Sequence, residues 1–186
     1  MDEKEILFTN RTQNTFEANY EFNKALLAQM LSVLTIVGLM FTVFGMVLFV
    51  PSLNKEEINT SSLGLLIGGI IILFLVFLLK NVLLKRNLKK VREKNGQTDE
   101  SYFLYEFYEG SLKSEIYLAT GKSGEDVAPL TSISKVIETP KFYFLFRIGS
   151  VGYIVDKSTF DSSASVAYFE KLQAKLGKKN YKVRSK

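Results

Sequence analysis

Two stretches decide the architecture: ALLAQMLSVLTIVGLMFTVFGMVLFV, Ala25 to Val50, and LGLLIGGIIILFLVFLL, Leu63 to Leu79. The first holds 26 residues without a charge, its only polar side chains being Gln29, Ser32, Thr35 and Thr42. As a helix it spans roughly 39 Å, more than the ~30 Å hydrocarbon core of a bilayer. Pro51 ends it. The second holds 17 residues with no polar side chain, and Val82, Leu83 and Leu84 prolong its apolar stripe while Lys80 can snorkel to the headgroups. Backbone in hydrocarbon must satisfy its own hydrogen bonds, so both runs read as transmembrane helices, over 25–50 and 63–84. The first run lies behind an acidic segment, with no small-residue cleavage pattern before Pro51, which argues against a cleaved signal peptide.

The Lys and Arg counts of the flanks give the orientation. The outer loop, 51–62, carries only Lys55, whereas seven basic residues follow the second helix and three precede the first. The positive-inside rule then places both termini in the cytoplasm of a two-pass protein. All the excess positive charge of the chain, net +5 over 186 residues, sits in Lys80–Lys94 and Lys178–Lys186, and the rest is mildly acidic. That distribution disfavours a basic nucleic-acid-binding face on a folded domain. The chain has no Cys and no His, which excludes disulfides, zinc sites built on Cys or His, and Ser-His or Cys-His catalysis.

Small residues let helices approach in lipid, and Gly64-Leu65-Leu66-Ile67-Gly68 is a small-xxx-small face. In an antiparallel hairpin Gly45 and Gly68 fall at the same depth, so Gly45, Gly64 and Gly68 are the expected packing residues, with self-association through this face left open. Neither helix carries an acid or a base that would mark an ion pathway. The stretch KNVLLKRNLKKVREK, 80–94, keeps a helical period, with Leu84, Leu88 and Val91 on one stripe, so 85–96 reads as a basic extension ended by Asn95-Gly96. Lys85, Arg86, Lys89, Lys90 and Arg92 are its candidates for contact with anionic lipid, beside the simpler role of an orientation signal.

From Ser101 the period turns from helical to alternating. Strands are expected at 102–108, 112–118, 130–138, 142–147 and 152–155, with a polar turn over 120–126 and a break at Thr139-Pro140. An amphipathic helix follows, N-capped at Asp161 or the serines after it, with Val166, Phe169, Leu172 and Leu176 as its apolar stripe and Gly177 as its stop. The domain runs over 101–177, and the basic tail, 178–186, reads as disordered. Glycine spacing matches neither phosphate-loop pattern, so no cofactor is expected. Glu106, Glu109 and Glu138 are carboxylates with no base that the sequence identifies beside them, and no metal or catalytic set is expected.

The segments Tyr105–Gly110, Ile133–Thr139, Phe142–Phe146 and Tyr153–Phe160 resemble the YcxB-like family of bacterial membrane proteins. The chain departs from that pattern at Thr131-Ser132, where a Trp is frequent, and at Asp156, where a Pro is. The resemblance implies a two-helix membrane hairpin with a cytosolic α+β domain, an antiparallel sheet with a C-terminal helix similar to pleckstrin-homology-like modules, in the plasma membrane of a bacterium. Such a sheet wants more than five strands. The N-terminal segment, 1–24, is therefore expected to supply two, Glu5–Phe8 and Thr15–Phe22, with Asn10-Arg11-Thr12 between them. The function read from this is a non-enzymatic, membrane-anchored module that binds a protein or anionic lipid. The competing reading is a subunit or immunity-type protein acting through its helices.

Overall fold

A computed structural model describes residues 5–54, 60–148, 152–160 and 163–184. The chain divides into two compact units, one formed by everything up to Phe22 together with everything from Lys89 onward, the other by Asn23–Leu88.

The second unit is a pair of helices, drawn from α1 (Phe16–Phe49) and α2 (Thr60–Leu78); a π-helical turn at Leu79–Leu83 then carries the chain into α3 (Leu84–Lys94). Both α1 and the α2–α3 run are long and apolar enough to cross a membrane, over Met30–Phe49 and within Thr60–Lys94. Buried positions recur every seven residues, at Leu31, Gly38 and Gly45 on α1 and at Ser62 and Gly69 on α2, the period that keeps one seam of two helices together. A Cβ on Gly45 would stand 2.5 Å from the Leu66 backbone nitrogen, and one on Gly69 would stand 2.5 Å from that of Thr42. The Thr42 hydroxyl donates to the Gly38 carbonyl at 2.8 Å, inside its own helix.

Gly64 and Gly68, expected in this seam, are not part of it, since a Cβ on either would meet nothing within 4 Å. Depth matching pairs Gly45 with a residue near 66–68. One residue is a 100° turn, however, and the contacts at Leu66 and Gly69 fix the face that meets α1.

The first unit contains two four-stranded sheets. In the first, β1 (Phe8–Gln13), β2 (Tyr102–Phe107), β3 (Ser111–Leu118) and β4 (Gly121–Pro129) lie side by side in that order, all antiparallel. In the second the order is β7 (Tyr153–Asp156), β6 (Phe142–Arg147), β5 (Ile133–Glu138) and β8 (Tyr181–Val183), the last pairing parallel with β5. Helix α4 (Ser163–Asn180) leaves helical geometry at Gly177, φ 66°. One core joins the sheets and α4. Tyr143 stacks on Phe169 at 3.8 Å, Phe8 on Phe107 at 4.4 Å, and Tyr168 meets Phe107 edge-on at 5.3 Å.

Four expectations change here. Residues 15–22 are not a strand: Thr15 caps α1, its hydroxyl accepting from the Ala18 N–H at 3.1 Å. The single N-terminal strand instead runs through Asn10–Thr12, where a turn was expected. The polar stretch 120–126 belongs mostly to β4, an edge strand whose charges and glycines face solvent, so its composition imitates a turn. The tail is ordered at Tyr181–Val183, since Tyr181 is buried and donates its hydroxyl to Glu138 Oε2 at 2.9 Å. In α4, Val166 is exposed and Tyr168 takes the expected place in the core; the capping residues Asp161 and Ser162 lie outside the described residues.

Gly45→Leu and Gly69→Leu should each lower the thermal stability of the hairpin in detergent by about 1–3 kcal/mol, the usual cost of overpacking. Gly64→Leu and Gly68→Leu should leave it unchanged. Helical melting followed by circular dichroism checks the contrast.

Candidate functional site

The basic extension divides into two groups. Lys85, Arg86, Lys89 and Lys90 are exposed on α3. Arg92 is not available to lipid. Its guanidinium is buried, donating to the Asn14 carbonyl at 2.5 Å and to the exposed Asp99 carboxylate at 2.9 Å. Asn14 follows β1 directly and its N–H donates to the Ser101 carbonyl just before β2, so Arg92 ties the end of α3 to the point where β1 and β2 separate. Nothing in the spacing of KKVREK distinguishes this arginine, because its partners lie 78 residues away or in the following loop.

The inward-facing positions of β1 are Phe8, Asn10 and Thr12, all buried. Asn10 donates to the Asp156 carbonyl at 2.8 Å and to the Thr159 hydroxyl at 2.7 Å, while Thr12 accepts from the Asp156 N–H at 2.8 Å and donates to Asn10 at 2.8 Å. The three bonds to Asp156 and Thr159 join the edge of the first sheet to the end of the second. A strand with polar residues on its inner face carries no apolar alternation, which is why the sequence hides it.

The carboxylates singled out from the sequence occupy different surroundings. Glu106 accepts from the Tyr108 hydroxyl at 2.8 Å and pairs with Lys113 at 3.4 Å. Glu138 pairs with Lys157 at 2.6 Å and accepts from Tyr181. Glu109 sits at the β2–β3 turn, beside α4 residues Lys171 and Lys175 across an open cavity. On the outer face of the first sheet Glu115 is the hub, since Lys122 at 2.7 Å, Lys113 at 2.9 Å and the Tyr117 hydroxyl at 2.9 Å all converge on it. Those donors lower its carboxyl to about 2, the Lys122 hydrogen bond contributing most. Another cluster joins the two sheets: the Tyr153 hydroxyl donates to Asp126 at 2.7 Å and Arg147 pairs with the same carboxylate. Burial, then this hydrogen bond, pushes Tyr153 up to about 12.

Two further lysines, Lys141 and Lys135, separate likewise. Lys141 pairs with Glu17 at 2.9 Å. Lys135 lies on β5 with Lys182 and Arg184 close enough to disfavour its charge; burial is the larger cause of its lowered pKa. The described residues contain no group of three or more Asp, Glu, His or Cys side chains that could hold a metal ion.

Because the folded-state carboxyl of Glu115 lies below the ordinary 4.5, its pairing stabilises the fold fully above that pH and is lost as pH falls toward about 2. Glu115→Gln should therefore be less stable than the parent at pH 6, and the gap should close between about pH 4.5 and 2, as read by urea unfolding across that range.

No curated protein and no solved structure matches the chain. Residues 114–173, from the middle of β3 to the middle of α4, match the family model described as YcxB-like protein, so this stretch of the chain is YcxB-like.

Proposed function

We propose that the chain is a two-pass membrane protein of the bacterial plasma membrane, a non-enzymatic module that presents its sheet unit to a partner at the cytoplasmic surface. The pairing of β1 with β2 carries this reading. Gln13 stands opposite Tyr102 in one sheet, and the 88 residues between them contain both apolar helices. Strands that hydrogen-bond to one another must lie on one side of a membrane, so the interval between them crosses an even number of times. Two long apolar helices satisfy that requirement. The basic residues of α3 support the cytoplasm as that side.

The layout of the sheet unit supports a pleckstrin-homology-like reading. An antiparallel meander of four strands is followed by a second meander, β5–β6–β7, and then by a helix packed into the core between them. In this chain the membrane hairpin is inserted between the first and second strands. The partner is a protein or an anionic lipid, with Lys85, Arg86, Lys89 and Lys90 as the lipid-facing cations, each contributing ~1 kcal/mol near an anionic surface.

With no native cysteine, single cysteines report topology directly. Ser61→Cys should react with an impermeant maleimide added to intact cells, and Glu100→Cys only after permeabilisation; the reverse pattern overturns the orientation. Glu100 is exposed, whereas its neighbour Ser101 is fully buried and would stay silent on either side.

Replacing Lys85, Arg86, Lys89 and Lys90 by Gln, with the labelling pattern unchanged, should reduce the phosphatidylglycerol that the purified protein retains in native mass spectrometry. Unchanged retention assigns these residues to orientation alone and the partner to protein.

A further inference from the structure

One cavity, about 380 Å³, opens beside α4 in the sheet unit. It lies at the small end of the ~300–1,000 Å³ usual for small-molecule sites. Its walls are apolar: Leu7 from the segment before β1, Leu130 from the turn before β5, and Leu172 from α4. Ala164 and Ala167, one turn apart on α4, also line it, and their small side chains leave the space open.

The polar groups around this cavity have no ion partner or hydrogen bond among the described residues. Tyr168 contributes to the wall, but its ring packs against Phe8, Phe107 and Phe169 and its hydroxyl is buried away from the open space. Lys171 and Lys175, one turn apart at the rim, form no ion pair, and Glu109 opposite them forms none either. In the rest of the unit the carboxylates are mostly matched, as around Glu115 and Glu138; here two lysines stand against one carboxylate, Glu109, which leaves an excess of one positive charge at the mouth of the cavity.

We propose that this cavity binds a single-chain fatty acid, its carboxylate held by Lys171 and Lys175, its acyl chain lying against Leu7, Leu130 and Leu172. A carboxylate answers the two lysines, which stand one turn apart on α4. A single chain answers a cavity too small for a two-chain lipid. The site is independent of the membrane orientation.

The test uses the full chain in phosphatidylcholine nanodiscs, photolysed with a diazirine analogue of dodecanoate and mapped by mass spectrometry. Adducts should appear on peptides covering 163–175, with adducts on the apolar helices as an internal measure of probe delivery. Ala167→Trp, which fills the cavity, and the double variant Lys171→Glu, Lys175→Glu should each lower the 163–175 adduct about tenfold while leaving the helix adducts unchanged.

Unlabelled dodecanoate should compete and dodecanol should compete much less. The proposal fails if 163–175 is labelled no more in the parent than in Ala167→Trp. It fails equally if dodecanol competes as well as dodecanoate, which would leave an apolar groove suited to a hydrophobic side chain of a partner protein.

Discussion

The structure depends on one backbone ladder, the pairing of Phe8–Gln13 with Tyr102–Phe107 across the 88 residues that separate them. For a flexible chain of that length the length-dependent part of the closure entropy is about 4 kcal/mol. The helical hairpin reduces it by returning its two ends to the same place, through the seam of Gly38, Gly45 and Gly69. Side chains then finish the closure. Arg92 bonds to the Asn14 backbone, and Arg11 lies over the Tyr102 ring at 3.9 Å, beside the last rung of the ladder. An arginine buried in this way is committed to structure, which is why four of the five candidate lipid contacts, Lys85, Arg86, Lys89 and Lys90, face outward.

The second sheet explains how the unit tolerates so apolar a strand as FYFLFR. In β6, Phe142 to Phe146 are all buried, which a sheet with one wet face would not allow. On its inner face Tyr143 and Leu145 meet the core. Its other face is covered by the first turns of α1, where Phe22 stacks on Phe146 at 5.0 Å and meets Phe144 edge-on at 5.6 Å. The N-terminal segment therefore serves the sheet unit twice, as an edge strand of the first sheet and as a cover for the second.

What the sequence disclosed follows from the kind of signal each element carries. The apolar helices, β6 and the stop at Gly177 were legible because hydrophobicity or a conformational requirement marks them. Elements held by polar groups were not: β1 turns Asn10 and Thr12 inward, β4 carries Lys122 to Asp126 on an exposed edge, and β8 has one buried residue, Tyr181. Gly68 and Gly69 show a further limit. Composition finds a small-residue face in the helix, and only the partner helix decides which of two adjacent glycines occupies the contact. The candidate cavity was hidden for the same reason, since Ala164, Tyr168 and Lys171 are ordinary helix residues until Leu7 and Leu130 are brought opposite them.

The matched stretch, 114–173, begins inside β3 and stops inside α4. It leaves out β1, β2 and β8, which contribute Phe8, Tyr105, Phe107 and Tyr181 to the core. Without β2, the N–H and C=O groups by which β3 pairs with it over Ser114–Tyr117 would have no partner. The smallest piece that can close this core is discontinuous, running up to Phe22 and again from Lys89. A hairpin placed inside a strand pair differs physically from an anchor added to the end of a domain. Its two helices must enter and leave at neighbouring rungs of one ladder, so whatever separates them also pulls on the pairing of Gln13 with Tyr102.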